Sequence, residues 1–268
     1  MDLTITKRDG TKELFNADRI NRSIERAAFG LIDPISKVTQ VATDTHVTIY
    51  DGITTDELDL ATINAAVQNI KENPDYDKIA TRLLLKTVYK HVLGDYNEDA
   101  EQLKKLHQEH FATYIKKGVS EKIFDERMEK NFDLARLAGA LDISRDELFI
   151  YAGLSTLLGR YSIKDKNQKA FEVPQYCFMR VAMGNAYNEK DPTEMAIKFY
   201  EKMSNLEYVA GGSTNINAGV PNPALSNCFL LEIHDDMGHI SKSVMDVMML
   251  SKASGGLGAS LTKLRATG

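Results

Sequence analysis

Polar and apolar residues alternate over the opening segment LTITKRDGTKELFN, on either side of Asp9-Gly10. A period of two is typical of a strand that is buried on one face, and an Asp-Gly pair suits the positive φ angles of a tight turn. The pattern therefore predicts a β-hairpin over residues 2–15.

A helical period replaces this alternation after the hairpin. Ile20 and Ile24 open an apolar series at helical spacing, with Asn16 or Asp18 as its cap, and the series stops before Pro34. The sequence predicts a first helix here.

Three further helices are predicted at about 36–49, 55–72 and 76–93. The second of them begins at Thr54 or Thr55, which precede Glu57 in the arrangement of a capped helix with an acidic first turn. Gly94 follows the last of them as a helix stop.

Residues 95–210 are predicted to be mostly helical. This interpretation rests on amphipathic stretches such as EDAEQLKKLHQEHFATYIKKG and PTEMAIKFYEKMSNL. One interruption is predicted at YSIKDKNQKAFEV, where a Lys-Asp-Lys-Asn turn cluster separates two β-favouring runs and indicates a short exposed hairpin.

The last part of the chain shows a different pattern. An apolar run at 228–233 follows a loop with two prolines, a helix is predicted over 240–254, and a second strand over 257–264. Strand, helix and strand with apolar strands begin a parallel α/β unit whose strands are buried. One such unit has open edges and does not form a stable sheet by itself.

Length and composition are those of a globular protein large enough for two domains. The chain has 268 residues, 43% of them hydrophobic and 26% charged, and no 18-residue apolar run, which excludes a membrane-spanning helix. The predicted fold class is α+β and mainly helical. Two cysteines and the lack of an apolar signal core predict a cytoplasmic protein with reduced thiols.

Net charge limits the partners that the chain can bind. At −5 the charge argues against a broad nucleic-acid surface, and we expect no direct nucleic-acid or membrane binding. Any phosphate binding must therefore come from a few local side chains and backbone NH groups.

Cys228 stands at the start of the apolar run, after Ser226 and Asn227. Because free cysteine is among the most buried residue types, one interpretation is a small core residue. The other is a redox thiol at a strand end. Cys177, in the helical run PQYCFMRVAM, has only the core interpretation.

The glycines and charges near the C-terminus also allow two interpretations each. Gly255-Gly256 either stops a helix or lets the main chain approach a substrate with unobstructed NH groups. Asp235-Asp236 is either a solvated loop or an acceptor for a ribose or base, and Arg265 is either a surface charge or a phosphate fork.

The N-terminal segment contains eight polar or charged residues, each of which would be an ordinary surface residue if taken alone. Together these side chains surround a hairpin with a basic turn and a helix with a polar start, which is the make-up of a nucleotide pocket. They are Lys7, Arg8, Glu13, Asn16, Arg19, Thr55, Asp59 and Lys90.

The motifs occur in the order of a known family. KRDG with a following glutamate, YDGITTDELD and PDYDKIATRLLLKTVYKHV resemble the ATP-cone, an allosteric nucleotide-binding module. STNINAG, LSNCFLLEIHDD and SKASGGLGASLTKLRATG resemble, in order and spacing, the large subunit of class I ribonucleotide reductase (ribonucleoside-diphosphate reductase). The resemblance spans the chain and implies an ATP-cone at 1–95, a helical domain at 96–220 and the start of a ten-stranded α/β barrel at 221–268.

The resemblance also implies roles for matching positions. Cys228 aligns with one of two cysteines that reduce the ribose, and the substrate contacts would be Thr214, Ser226, Asn227 and Gly256. The specificity effector would meet Asp235 or Asp236, which a one-residue gap leaves undecided, and Arg265. ATP or dATP would contact Ile5, Lys7, Glu13, Asn16, Arg19, Ile20, Thr55, Asp59 and Lys90.

Cofactors and partners follow from the same resemblance. It implies ATP, dATP and deoxynucleotide effectors with Mg²⁺, and no metal site in this chain. It also implies a metal-containing small subunit that supplies the radical and a thioredoxin- or glutaredoxin-type reductant. The large subunit is expected to form a homodimer. The thiyl-radical cysteine, the second redox cysteine and the C-terminal cysteine pair have no counterpart in these residues. We therefore expect the chain to be inactive alone and to need the rest of the barrel, as a second chain of a split protein or as the remainder of a fragment.

Two departures and two alternatives accompany the resemblance. Asn227 replaces a serine common in the family, and Gly211-Gly212 stands where bulkier residues are usual, which predicts a looser phosphate loop. The alternatives are an adenosylcobalamin-dependent reductase, which shares these motifs, and a non-catalytic ATP-cone regulator, whose zinc ribbon two cysteines cannot build.

Overall fold

The computed structural model describes residues 3–94, 96, 99–252 and 255–266. Positions 1, 2, 95, 97, 98, 253, 254, 267 and 268, some of which fall in predicted elements and domains, lie outside the described residues. The helices in chain order are α1 (Ala17–Ala27), α2 (Pro34–His46), α3 (Thr55–Gln68), α4 (Asp75–Leu93), α5 (Ala100–Ser120), α6 (Arg127–Lys130), α7 (Leu134–Ala140), α8 (Tyr151–Thr156), α9 (Pro174–Ala186), α10 (Pro192–Ser204), α11 (Gly212–Asn217) and α12 (Met237–Lys252). The strands are β1 (Thr4–Thr6), β2 (Lys12–Leu14), β3 (Ile53–Thr54), β4 (Cys228–His234) and β5 (Gly256–Lys263).

Contacts within the chain divide it into two compact units. The first holds Met1–Asp99, Ser144–Gly159 and Lys164–Val173, and the second holds Ala100–Ile143, Arg160–Ile163 and Pro174–Gly268. The first unit thus extends past the predicted boundary at 95 to Asp99 and takes two further segments from the predicted 96–220 domain. These units are contact groupings, and the domain boundaries at 95 and 220 stay predictions.

A three-stranded sheet opens the first unit. β1 pairs antiparallel with β2, and Gly10 has a φ of 85° in the turn between them, which confirms the hairpin. β3 pairs parallel with β1 and was not predicted. A strand of two residues is too short to show a period, and its pairing partner lies far away in sequence.

The four N-terminal helices are confirmed, with shifted ends. The Asn16 side chain accepts a hydrogen bond from Asp18 N and is the cap of α1. Pro34 begins α2 as its first residue instead of only ending the preceding segment, because proline is tolerated where no helical NH bond is needed. Thr54 and Glu57 form a reciprocal capping box at α3, which ends at Gln68 and not at 72.

The core of the first unit lies between the sheet and these helices. Ile24, Val41 and Ile79 have no exposed surface, and Ile5 and Ile53 bring the inner face of the sheet into the same cluster. The sheet and the helices thus enclose a common apolar core, and burial of apolar surface is the main favourable term in folding.

The segment around α8 packs on α4 within the first unit. The Arg82 guanidinium pairs with the Glu147 carboxylate at 3.0 Å, and the Asp77 carboxylate accepts from Tyr151 N at 3.1 Å. The predicted hairpin at 161–173 is reduced to one antiparallel bridge between Lys164 and Ala170. Tyr161, its predicted first residue, belongs to a π-helical turn over Leu157–Tyr161.

The second unit is built around α9, which is buried on nearly every side and packs against α10. Aromatic rings from α5 and α9 fill its centre, among them Phe111, Tyr114 and Tyr176. Cys177 is fully buried, which confirms its interpretation as a core residue.

The C-terminal strand, helix and strand are confirmed, but their burial is not as predicted. β4 and β5 pair in parallel as a two-stranded sheet, and alternate β4 residues are exposed, with Leu230 at 90%. The prediction of buried strands is wrong for the described residues, because α12 covers one face and only β4 and β5 pair with each other. No helix among the described residues combines the length and apolar character that a membrane crossing requires.

Candidate nucleotide pocket and thiol site

A cavity of about 470 Å³ lies in the first unit beside the hairpin, α1, α3 and α4. All nine residues predicted to contact ATP or dATP line it: Ile5, Lys7, Glu13, Asn16, Arg19, Ile20, Thr55, Asp59 and Lys90. The sheet and three helices therefore bring together residues that span most of this unit. Their roles as nucleotide contacts stay predictions.

Basic side chains outnumber acidic ones around this cavity. The basic residues are Lys7, Arg8, Arg19, Lys86 and Lys90, and the acidic ones are Asp9, Glu13 and Asp59. An excess of cations in a concave site favours a phosphate-bearing ligand, while the carboxylates can accept from hydroxyl or amino groups.

Glu13 bridges two of the cations. Its carboxylate oxygens lie 2.6 Å from Lys7 Nζ and 2.6 Å from Arg19 NH1. The hydrogen bond from Lys7, opposed by partial desolvation and aided by the charge of Arg19, lowers the pKa of Glu13. Glu13 therefore stays ionised and holds both cations at the cavity.

The pKa of Asp59 is shifted in the opposite direction from that of Glu13. Burial raises the pKa of Asp59, against the attraction of Lys90, Lys86 and Arg8. A desolvated carboxylate facing several cations gains from any ligand group that donates a hydrogen bond to it.

Arg8 connects the cavity to a small charged cluster at its rim. Its guanidinium lies 2.8 Å from the Asp56 carboxylate and 3.6 Å from that of Asp59, and His91 Nε2 is 3.5 Å from Asp56. Burial and the neighbouring Arg8 charge lower the pKa of His91.

The predicted contact set misses several residues that line the cavity, notably Ser23, Lys86 and Thr87. Lys86 Nζ donates to Ser23 Oγ at 2.5 Å. The sequence could have predicted Lys86 as a cavity residue, because Lys86 is four residues before Lys90 on α4 and such residues share a helix face. Ser23 had the same kind of signal, because it lies four residues after Arg19 and three after Ile20 on α1.

Cys228 is exposed at the first position of β4, so its interpretation as a core residue is wrong for the described residues. It stands opposite Gly256 in the parallel register, and Gly256 N donates to Asn227 O at 2.8 Å. A Cβ at Gly256 would lie 3.9 Å from Cys228 Sγ. Glycine at this position therefore keeps one side of the thiol open.

The other predicted substrate contacts lie next to this thiol, on or facing α11. Thr214 Oγ1 donates to Leu225 O at 2.9 Å, and the Asn227 side-chain oxygen accepts from Ser213 N at 2.7 Å. Ser226 is exposed. The structure therefore brings these residues to one place, with Thr214 and Asn227 already engaged in bonds that hold α11 to the chain before β4.

The two candidate aspartates after β4 have different surroundings. The Asp235 carboxylate lies 2.9 Å from Arg265 Nε. Asp236 instead accepts from His239 N at 2.8 Å at the start of α12, which is a helix-cap bond. Asp235 is thus the aspartate that pairs with Arg265, and the contact of either aspartate with an effector stays a prediction.

Among the described residues, no group of three or more His, Cys, Asp or Glu side chains is arranged to hold a metal ion.

Three family models match consecutive parts of the chain. Residues 3–91 match the ATP cone domain, 147–223 the ribonucleotide reductase all-alpha domain and 226–268 the ribonucleotide reductase barrel domain. Their order is the order expected from the motifs.

Curated relatives match along most of the chain. The ribonucleoside-diphosphate reductase subunit alpha of Chlamydia muridarum is 42% identical over 219 residues, which are 82% of this chain and 21% of the relative. The protein of the same name from Helicobacter pylori strain 26695 is 31% identical over 275 residues, 99% of this chain and 32% of the relative.

A plant relative extends the comparison. The ribonucleoside-diphosphate reductase large subunit of Arabidopsis thaliana is 29% identical over 266 residues, 98% of this chain and 32% of the relative. The chain thus spans between a fifth and a third of the length of these three relatives. Its three consecutive domain matches and these relatives show that the chain belongs to the ribonucleotide reductase large-subunit family.

Proposed function

We propose that this chain is the N-terminal, nucleotide-regulated part of a class I ribonucleoside-diphosphate reductase large subunit. The observation that carries the proposal is Cys228, an exposed thiol at the start of a parallel strand with Gly256 beside it. Matches to the all-alpha and barrel domains favour this function over the ATP-cone regulator, and relatives named as subunit alpha or large subunit favour it over the adenosylcobalamin enzyme.

Cys228 is proposed to supply one of two reducing equivalents. In the overall reaction two thiols become a disulfide, the ribose loses its 2′-hydroxyl, and one water leaves, so two electrons and two protons pass from the thiols to the substrate and the departing oxygen. A thiol can supply both a proton and an electron, because it donates its proton and then forms a disulfide with a second sulfur.

The second thiol must come from other residues. The chain has two cysteines, and Cys177 is fully buried inside α9 and contacts Arg180. We propose that the remaining barrel strands, on the same polypeptide or another, supply it and pair with the strands β4 and β5. The chain alone would then be inactive. A separate metal-containing subunit would supply the radical, and a thioredoxin- or glutaredoxin-type protein would reduce the disulfide.

The N-terminal cavity is the proposed regulatory site. Lys7, Arg19 and Lys90 would hold the phosphates of ATP or dATP with Mg²⁺, and the apolar Ile5 and Ile20 would face the base. Asp59 would accept from the ligand, since its carboxylate lines the cavity beside the cations. A nucleotide here would bias subunit assembly through a coupling free energy of about 1–3 kcal/mol.

Two further contacts are proposed in the second unit. Asp235 and Arg265 would bind the specificity effector, and Asp236 would cap α12 instead. α12 would form the subunit dimer, because its face bearing Val244, Met245 and Met248 is more than half exposed and such apolar surface is typical of an interface.

The test of the catalytic proposal is Cys228→Ser in the large subunit assembled with the rest of its barrel and its radical-generating subunit. We expect deoxynucleotide formation to be abolished while dATP binding is unchanged. Cys177→Ser is the matched control, since it removes the buried sulfur and should leave turnover measurable. Unchanged turnover in the Cys228→Ser enzyme would show that the thiol has no part in the reaction.

A further inference from the structure

The helix α9 anchors the C-terminal end of α11. Arg180, which has no exposed surface, donates to Ala218 O at 2.7 Å and to Asn215 O at 2.9 Å. A Cβ at Gly184 would lie 2.3 Å from Gly219 N, so glycine there is needed for the close approach of the two backbones. The C-terminal end of α11 is therefore fixed.

Asn227 holds the opposite end of α11 and links three elements. Its side-chain oxygen accepts from Ser213 N in the first turn of α11 at 2.7 Å, and its backbone oxygen accepts from Gly256 N at the start of β5 at 2.8 Å. Cys228 follows directly in sequence. Asn227 thus links α11, β5 and the thiol strand, beside the bond from Thr214 to Leu225 O.

Gly211 is the residue that admits this side chain. A Cβ at Gly211 would lie 3.3 Å from Asn227 Cγ and only 2.5 Å from Asn227 Nδ2, and the second of these distances is closer than real Cβ contacts. The Gly211 backbone has φ −59° and ψ 155°, which alanine adopts without strain. An added methyl group would therefore force the Asn227 amide to shift, and with it the oxygen that accepts from Ser213 N. The backbone conformation at Gly211 does not itself require glycine.

We propose that Gly211 and Asn227 are a matched pair, in which Asn227 is a positioning residue that holds α11 against the Cys228 strand and Gly211 leaves room for it. This couples two features that stood apart in the sequence, the glycine pair before Ser213 and the amide before Cys228. The kinetic part of the test rests on the proposed function, and the stability part does not.

The stability test is a double-mutant cycle on the full chain, read as the Tm. Gly211→Ala should lower the Tm when Asn227 is present, because the added methyl group displaces the amide. In the N227S background the same change should leave the Tm equal or higher, because the shorter side chain frees the space and alanine reduces the entropy of the unfolded chain.

A control variant tests whether any glycine-to-alanine change would alter the Tm in the same way. A Cβ at Gly139 in α7 would meet nothing within 4 Å, so Gly139→Ala should shift the Tm equally with and without the N227S change. If Gly211→Ala alone does not fold and the double variant does, the pair is supported. Equal Tm shifts for Gly211→Ala in both backgrounds, or loss of folding in both, would overturn it.

The kinetic test uses the assembled enzyme well below the Tm of every variant. Gly211→Ala should lower kcat about tenfold or more, because it moves α11 relative to Cys228, and the double variant should recover kcat to within about threefold of N227S alone. Failure of the double variant to recover kcat would refute the positioning role. If the wild-type assembly reduces no ribonucleotide, the proposed function fails while the Tm cycle still decides the pair.

Discussion

The N-terminal unit has a core of fully buried apolar residues, whereas every residue of the strands β4 and β5 is exposed or partly exposed. In the first unit Ile24 and Ile79 are fully enclosed between sheet and helices, whereas Leu230 in β4 is 90% exposed. Both regions contain parallel strand pairing, between β1 and β3 and between β4 and β5. The difference lies in closure, because several helices pack around the first sheet while α12 covers only one face of the second.

The proposed nucleotide site lies within one unit, whereas the proposed catalytic site has an open sheet face. The N-terminal cavity has its walls, its cations and its carboxylates in one compact unit. The Cys228 strand has a thiol, a glycine and a helix end, but an exposed sheet face. We therefore expect nucleotide binding to be a property of this chain and catalysis to be a property of an assembly.

The largest expected effect concerns the closed core. Ile79→Ala should lower the free energy of unfolding by about 2–5 kcal/mol, because it removes methyl groups from a fully buried site, whereas Leu230→Ala should change it by less than about 0.5 kcal/mol in this chain. Urea denaturation measures both. Comparable losses for the two variants would mean that β4 is covered after all.

A buried histidine should make the helical core of the second unit sensitive to acid. Burial lowers the pKa of His107 from an ordinary value of 6.5 to about 4. The unfolded chain then binds the proton more readily, so stability is fully present above pH about 6.5 and is lost as the pH falls towards 4, by roughly 3 kcal/mol. His107→Gln should remove this part of the pH dependence, measured as the difference between the two denaturation profiles. A profile that is the same in both proteins would contradict it.

Nucleotide affinity should distinguish cavity residues from surface charges. Asp59→Ala and Lys7→Ala should each weaken dATP binding by about tenfold or more, because each removes a charged group from the cavity. Lys12→Ala is the control, since Lys12 belongs to the same hairpin but does not line the cavity. Isothermal titration calorimetry on this chain gives the affinities, and absence of heat with every adenine nucleotide would remove the ATP-cone function.

The smallest expected effect tests the two aspartates after β4. Asp236→Ala should cost about 1 kcal/mol of stability because it removes the cap of α12, while Asp235→Ala should cost about 0–0.5 kcal/mol, since its partner Arg265 is largely exposed. Thermal unfolding compares them. A larger loss for Asp235→Ala would reverse the assignment of cap and effector contact.

Local signals in the sequence determined most elements of both units. The Asp9-Gly10 turn, the Thr54–Glu57 capping box and the helical periods fix structure through residues that are neighbours along the chain. The same local motifs carried the resemblance that selected the nine cavity residues. Each of these depends on interactions within a few residues, which a sequence shows directly.

Tertiary structure decided what depends on distant partners. β3 exists because Ile53 and Thr54 pair with β1. Cys228 is exposed because, among the residues that the structure describes, its strand pairs with β5 alone. The sequence could not separate Asp235 from Asp236 or link Gly211 to Asn227, because clearances between side chains far apart in the chain are set only when the backbone folds.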